Sequence, residues 1–220
     1  LYKMTLVSAR GGSGVETVQG EMIADWSESC DGWTLDQRSV FDVGYSSGQN
    51  VRIISNIATW ESLDGLQYRF NVTNKTNDEV TERTEGHANL VAEKGGGKAQ
   101  FELPNPKTSE LPAGTIFPTE HSRVLLRDIG GAPMILSHVV FDGLTDEGPL
   151  QVSTVIGGEV APDPSPSMSP LKGLRSWPTQ MAFFHAGSGA VEPEQEIGMR
   201  LFENGVGDVM VLDFGDFKVR

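Results

Sequence analysis

The sequence predicts an all-β, mainly antiparallel fold of about thirteen or fourteen strands with one α-helix, as a single domain over residues 1–220. Three observations predict it. Apolar and polar residues alternate over short runs almost throughout, which on a strand separates a dry face from a wet one. Turn residues recur between those runs, supplied by 26 Gly and 12 Pro. The period changes only once, between Leu111 and Ile129. An antiparallel chain of this length must manage its edges; a closed or nearly closed large barrel is the usual solution, and a sandwich is the rival.

Leu1 to Arg10 reads as a strand with Tyr2, Met4 and Leu6 on one face, and Gly11-Gly12-Ser13-Gly14 as the turn after it. No Gly-Lys-Ser/Thr follows those glycines, so they are not a phosphate loop. Val18 to Trp26 and Trp33 to Tyr45 alternate in turn, separated by Cys30-Asp31-Gly32. Val51 to Trp60 is partly apolar on both parities, as expected of a strand covered on both sides or lining a cavity. Asp64-Gly65 is a strong hairpin signal. Leu66, Tyr68, Phe70 and Val72 then alternate with polar residues without a fault. Glu79 to Glu93 reads as two shorter strands around Gly86, and Lys98 to Leu103 as one more, ended by Pro104 and Pro106.

The change of period marks the helix. Pro118 presets a helical φ where a missing N–H costs nothing, and Glu120 places a carboxylate near the positive end. His121, Val124, Leu125 and Asp128 recur at helical spacing, with Leu126 and Ile129 beside them. Gly130-Gly131 and Pro133 stop it, which predicts one central helix near 119–129. Beyond it, Met134 to Asp142, Leu150 to Glu159, Ser176 to Phe184, Gln195 to Glu203 and Val209 to Val219 read as strands. Ala161 to Pro170, with four prolines, is an extended surface loop, and Asn204-Gly205 a tight hairpin.

Charge excludes some partners. The chain carries −13 from 17 basic and 30 acidic residues, with no Lys/Arg cluster to neutralise phosphates, so nucleic acid is not an expected partner. No stretch reaches the roughly 18 apolar residues of a membrane span. A chain that starts at Leu1 inside a strand pattern, without an initiator Met, is expected to be the mature part of a longer precursor. Nothing assigns an oligomeric state. Cys30 has no cysteine to pair with inside 220 residues, so it is either a free thiol or bridged to a residue outside them.

No motif carries a catalytic reading. His87, His121, His138 and His185 sit at no metal-ligand spacing, so four unrelated imidazoles are the simpler expectation and no metal or cofactor is assigned. No Gly-x-Ser-x-Gly elbow occurs; Gly187-Ser188-Gly189 fits a turn, and Asp213-Phe214-Gly215 lacks every other part of a kinase site. The sequons at Asn71 and Asn74 fit a polar strand face. An enzyme reading would rest on Glu120, His121 and Arg123 facing a cavity. The surplus of Trp and Tyr on apolar parities fits core filling, or an apolar cavity lined by Trp26, Trp33, Tyr68, Phe70 and Leu125 with the helix as plug or lid.

Several segments together carry a resemblance: Leu1-Tyr2-Lys3-Met4-Thr5-Leu6, Gly20-Glu21-Met22 leading to Trp26, Cys30-Asp31-Gly32-Trp33, Leu111 to His121 (LPAGTIFPTEH), and Leu212-Asp213-Phe214-Gly215-Asp216-Phe217. The chain resembles the EipB-type cell-envelope integrity proteins of Gram-negative bacteria over nearly its whole length. The resemblance implies an exported periplasmic protein folded as a large, open, spiral β-barrel, similar in shape to periplasmic carriers of lipoproteins and lipophilic molecules. It implies a role in envelope maintenance and transfers no catalytic residue; the expected mode is non-enzymatic, by binding a lipid, a lipoprotein or an envelope protein. It also implies a disulfide from Cys30 to a cysteine near the C-terminus; none lies within these 220 residues, so either a tail beyond Arg220 holds it or this member lacks the bond.

Overall fold

The computed structural model describes residues 1–92, 95–162, 169–187 and 189–220. Eight strands come first: β1 (Tyr2–Ala9), β2 (Val15–Glu28), β3 (Gly32–Tyr45), β4 (Asn50–Ser62), β5 (Gln67–Thr76), β6 (Glu79–Leu90), β7 (Gly97–Leu103) and β8 (Lys107–Leu111). The two-residue β9 (Thr115–Ile116) leads into α1 (Pro118–Asp128) and a 3-10 turn, Ile129–Gly131. Six more strands follow: β10 (Met134–Val140), β11 (Leu150–Ile156), β12 (Ser176–His185), β13 (Gln195–Phe202), β14 (Gly207–Asp213) and β15 (Phe217–Val219).

All fifteen belong to one sheet, ordered β8-β7-β6-β5-β4-β3-β2-β1-β15-β14-β13-β12-β11-β10-β9. Each strand pairs with its neighbour in sequence, except that β1 also pairs with β15 and no ladder joins β8 to β9 among the described residues. The result is a nearly closed barrel whose two free edges, β8 and β9, are consecutive in the chain. Among the described residues only β9 runs parallel to its partner, β10.

The alternation sorts residues to the two faces as the pattern requires. Val18, Met22, Phe41 and Val43 are buried, whereas Gln19, Glu21 and Asp42 between them are exposed. With Met4, Leu212 and Val219 they form one cluster of the inner face, where β1–β3 meet β14–β15. A second cluster, Ile156, Trp177 and Leu201 on β11–β13, receives Leu125 of α1 and Ile129 just beyond it. The third seals the seam: Tyr68, Phe70, Ala88, Ala99, Phe101 and Leu111 from β5–β8 pack on Phe117 and Phe141 from the other edge. Its rings meet at 5.0 Å for Tyr68–Phe117, 5.6 Å for Phe70–Phe141 and 6.1 Å for Phe101–Phe141. The Tyr68 hydroxyl donates to the Asp142 carbonyl at 2.9 Å, and Lys107 of β8 bonds Asp146 across the same gap. Side chains close the barrel where backbone pairing stops.

Four details differ from the sequence reading. Glu79 to Glu93 was expected as two strands, but β6 is continuous. Gly86 sits at a register shift, and a Cβ there would lie 2.2 Å from the Gln100 carbonyl oxygen, so the glycine admits a close backbone rather than a turn. The last expected strand, Val209 to Val219, is two, because Asp213-Phe214-Gly215 turns: Gly215 has φ +82° and its N–H bonds Asp213 Oδ1 at 3.0 Å. The short β8 and β9 fall where the sequence showed only the approach to the helix. The helix runs Pro118–Asp128 rather than 119–129, with Ile129 in the 3-10 turn. Asp64-Gly65 and Asn204-Gly205 both occupy hairpin turns, Gly65 at φ +69° and Gly205 at φ +84°. Of the proline-rich loop, residues 163–168 lie outside the described residues, as does Ser188 of Gly187-Ser188-Gly189.

Candidate functional site

Helix α1 is the element that the barrel encloses. Its Thr119, His121, Val124 and Leu125 are buried, and Glu120 and Arg123 pair with each other at 3.2 Å on the opposite side. Its N-cap residue, Phe117, has no side-chain oxygen to accept the first helical N–H groups. Those orphan donors need a partner in a buried position. Glu61 of β4 supplies it. Its Oε2 accepts from the Thr119 N–H at 2.7 Å and its Oε1 from the Glu120 N–H at 2.9 Å. The side chain is 2% exposed. Burial pushes its carboxyl up to about 7 although both N–H bonds favour the ionised form. A carboxylate borrowed from the barrel wall therefore anchors the helix start.

One turn further, His121 is 7% exposed and its ring lies 5.5 Å from that of His138 on β10. Its Nε2 has no hydrogen-bond partner among the described residues. Burial, then the neighbouring His138, hold His121 down at about 4, so it is neutral at physiological pH. The expectation of four unrelated imidazoles is therefore corrected: the fold brings His121 and His138 together, and His185 between Glu147 and Glu194. The first pairing is set by the return of α1 against β10 and the second by register across strands, and neither has a linear signature. Glu61 did carry a signal: it shares the parity of Ile53 and Ile57, where a lone carboxylate needs a partner.

The three residues of the enzyme reading divide between two environments. Glu120 and Arg123 form a helix-surface ion pair, while His121 faces the interior with no base-orienting carboxylate bonded to it among the described residues. The five cavity candidates also separate. Tyr68 and Phe70, each 2% exposed, are embedded in the seam cluster. Leu125 packs on Ile156, Trp177 and Leu201. Trp26 and Trp33 stand on the inner parity near the end of the β2–β3 hairpin, 5.6 Å apart, with Trp26 40% exposed. Between α1 and the inner wall part of the apolar surface stays uncovered: Leu126 of the helix and Met134, Leu136, Met181 and Met199 of the strands are only partly buried. Across the sheet from them, Leu35 and Ile57 are also half-buried.

The outer face differs in chemistry. Asp36, Asn71, His87 and Asn89 border a broad open groove of about 810 Å³, with Arg69 stacked 5.2 Å from Trp60 within it. Cys30, at the exposed tip of the β2–β3 hairpin, has no second cysteine within these 220 residues to pair with. No helix among the described residues is long and apolar enough to cross a membrane.

Comparisons with known proteins agree with this architecture. The model of the EipB-like family matches residues 1–220. The chain is 28% identical over 234 residues to the cell envelope integrity protein EipB of Brucella abortus (strain 2308), covering 100% of this chain and 79% of that protein. A crystal structure of a β-barrel-like protein from Brucella abortus, described as a domain of unknown function, superposes with a TM-score of 0.89 at 28% identity, over 100% of this chain and 92% of that one. The name of the curated relative supports a cell-envelope integrity role, and neither description points to an enzymatic activity. With the whole chain matched and the barrel-and-helix architecture reproduced, this protein belongs to the EipB-like family.

Proposed function

We propose that this protein supports the cell envelope as a non-enzymatic periplasmic protein that holds an acyl chain, from a lipid or a lipoprotein, between helix α1 and the inner wall of the barrel. The carrying observation is the partly uncovered inner surface around the helix: Met134, Met181 and Met199, with Leu126 and Leu136. Methionine is flexible and polarizable, so a methionine-rich wall adapts to a chain of variable length and unsaturation. The site is apolar, and the neutral His121 adds no charge to it. Trp26 and Trp33, near the end of their hairpin on the same inner face, stand where an entering chain would first meet the protein.

The test uses tryptophan quenching by a brominated fatty acid, with lipid extraction and native mass spectrometry of protein purified from its own envelope. Saturable quenching with one chain per barrel, abolished by Met181→Glu with the fold intact by circular dichroism, is the expected result. Absence of quenching and of any extracted lipid would overturn the reading. It would favour a structural interaction module using the outer edge of β8, which among the described residues has a single ladder partner, β7.

A further inference from the structure

We propose that Glu147, His185 and Glu194 form a divalent-cation site, zinc by ligand class, that clips together two loops at one end of the barrel. The β10–β11 and β12–β13 connections meet there. Leu150 pairs in register with His185, and the Ala186 N–H bonds the Pro149 carbonyl at 3.1 Å, which brings the β10–β11 loop alongside the end of β12. On the other side, the Glu194 N–H bonds the Phe183 carbonyl at 2.9 Å, just before β13 begins. Backbone hydrogen bonds thus place all three side chains.

Their ligand atoms lie within 4.8 Å of one another. Nε2 of His185 is 2.8 Å from Glu147 Oε2 and also in contact with Glu194 Oε1. A ring nitrogen has one in-plane position, holding either a proton or a lone pair, so it cannot make two good hydrogen bonds at once. The alternative to a metal is a protonated imidazole shared by two carboxylates. That arrangement brings two anions together around one proton. Among the described residues neither glutamate has a lysine or arginine within ion-pair distance. A dication neutralises both carboxylates and turns the shared nitrogen into a ligand. Three donors around zinc at about 2.0–2.2 Å stand roughly 3.4 Å from each other, a small adjustment for side chains as exposed as these. One imidazole with two carboxylates suits zinc better than calcium or magnesium, which take all-oxygen shells, and leaves a position for water.

The experiment titrates the full chain, in a Cys30→Ser background so that the thiol does not compete, with zinc followed by calorimetry and with cobalt followed by visible absorption. The expected result is one ion per chain, affinity weakened about tenfold or more by His185→Ala and by Glu194→Gln, and no change in His87→Ala. Zinc should also raise the melting temperature of the parent and not of the two weakened variants. No saturable binding, or binding that His185→Ala leaves intact, would overturn the proposal. This site is independent of the acyl-chain reading, and its variants leave the barrel interior untouched.

Discussion

Replacing Glu61 by Gln tests what holds the helix in the barrel. The folded carboxyl is raised from its ordinary 4.5 to about 7. A raised folded value means that the fold binds the proton more tightly than the unfolded chain. Stability from this group is therefore fully present below 4.5 and is lost as pH rises through about 7. Holding the proton from 4.5 up to about 7 places roughly 3 kcal/mol of net penalty on the ionised form, with both N–H bonds already counted. Gln keeps one carbonyl acceptor for the Thr119 or Glu120 N–H and carries no charge. Thermal melts near pH 4.5 and near pH 8 should then show the variant about equal to the parent in acid and more stable at the alkaline end by about 2–4 °C per kcal/mol. Glu61→Ala, which leaves two buried donors without an acceptor, should cost about 2–5 kcal/mol near pH 4.5, where no ionisation penalty offsets it. If Glu61→Gln is destabilising at pH 8 and neutral in acid, the ionised cap is the favoured form and the argument from burial fails.

Three further predictions concern other parts of the barrel. At Gly143, φ is +64° and a Cβ would fall 2.5 Å from the Phe70 ring; Gly143→Ala should cost about 2–4 kcal/mol, from left-handed strain plus overpacking, measured by urea unfolding. Asp208, 5% exposed, takes a bidentate bond from Arg200 at 2.7 and 2.5 Å; Asp208→Ala should cost about 3 kcal/mol, because it removes both charge-assisted bonds of a buried carboxylate, and a loss under 1 kcal/mol would show the pair to be solvated. For Cys30, register offers a distance. Arg220 sits opposite Thr5 and Thr5 opposite Gln19, so Cys30 lies eleven residues further along the hairpin, about 36 Å at strand rise. A tail reaching it needs at least about eleven residues beyond Arg220; a non-reducing peptide map of the full-length protein checks for the bridge, and a free thiol there would remove it.

Much of the fold was legible because alternation and turn chemistry are local. Asp64-Gly65 and Asn204-Gly205 specify hairpins on their own, and the helix announces itself through Pro118 and the spacing of His121, Val124 and Leu125. What escaped has a different physical origin. β8 and β9 are too short to show a period. Gly86 reads as a breaker until the close approach of the Gln100 carbonyl is known. The candidate site is mostly non-local: Glu61 and Thr119 are 58 residues apart, and His121 meets His138 only because α1 returns against β10. The five apolar candidates were chosen by parity, which identifies the inner face but does not distinguish Tyr68 and Phe70, spent on closing the seam, from Trp26, which stays exposed.

The strand order has a consequence for how this chain reaches its native state. Among the described residues every pairing of strands but one joins neighbours in sequence; the exception, β1 with β15, links residues more than two hundred positions apart, sealed by reciprocal bonds between Thr5 and Arg220. The two runs, β1–β8 and β9–β15, can each zip locally and meet through the side-chain seam, but no ladder among the described residues joins them until the last strand arrives. Closing that loop costs about 3–4 kcal/mol more entropy than closing a hairpin, so it is the expected slow step. A chain emerging from its N-terminus waits with β1 unpaired on one side until Phe217–Val219 is available. Deleting Phe217–Val219 would then slow or abolish assembly far more than three residues of lost contact suggest.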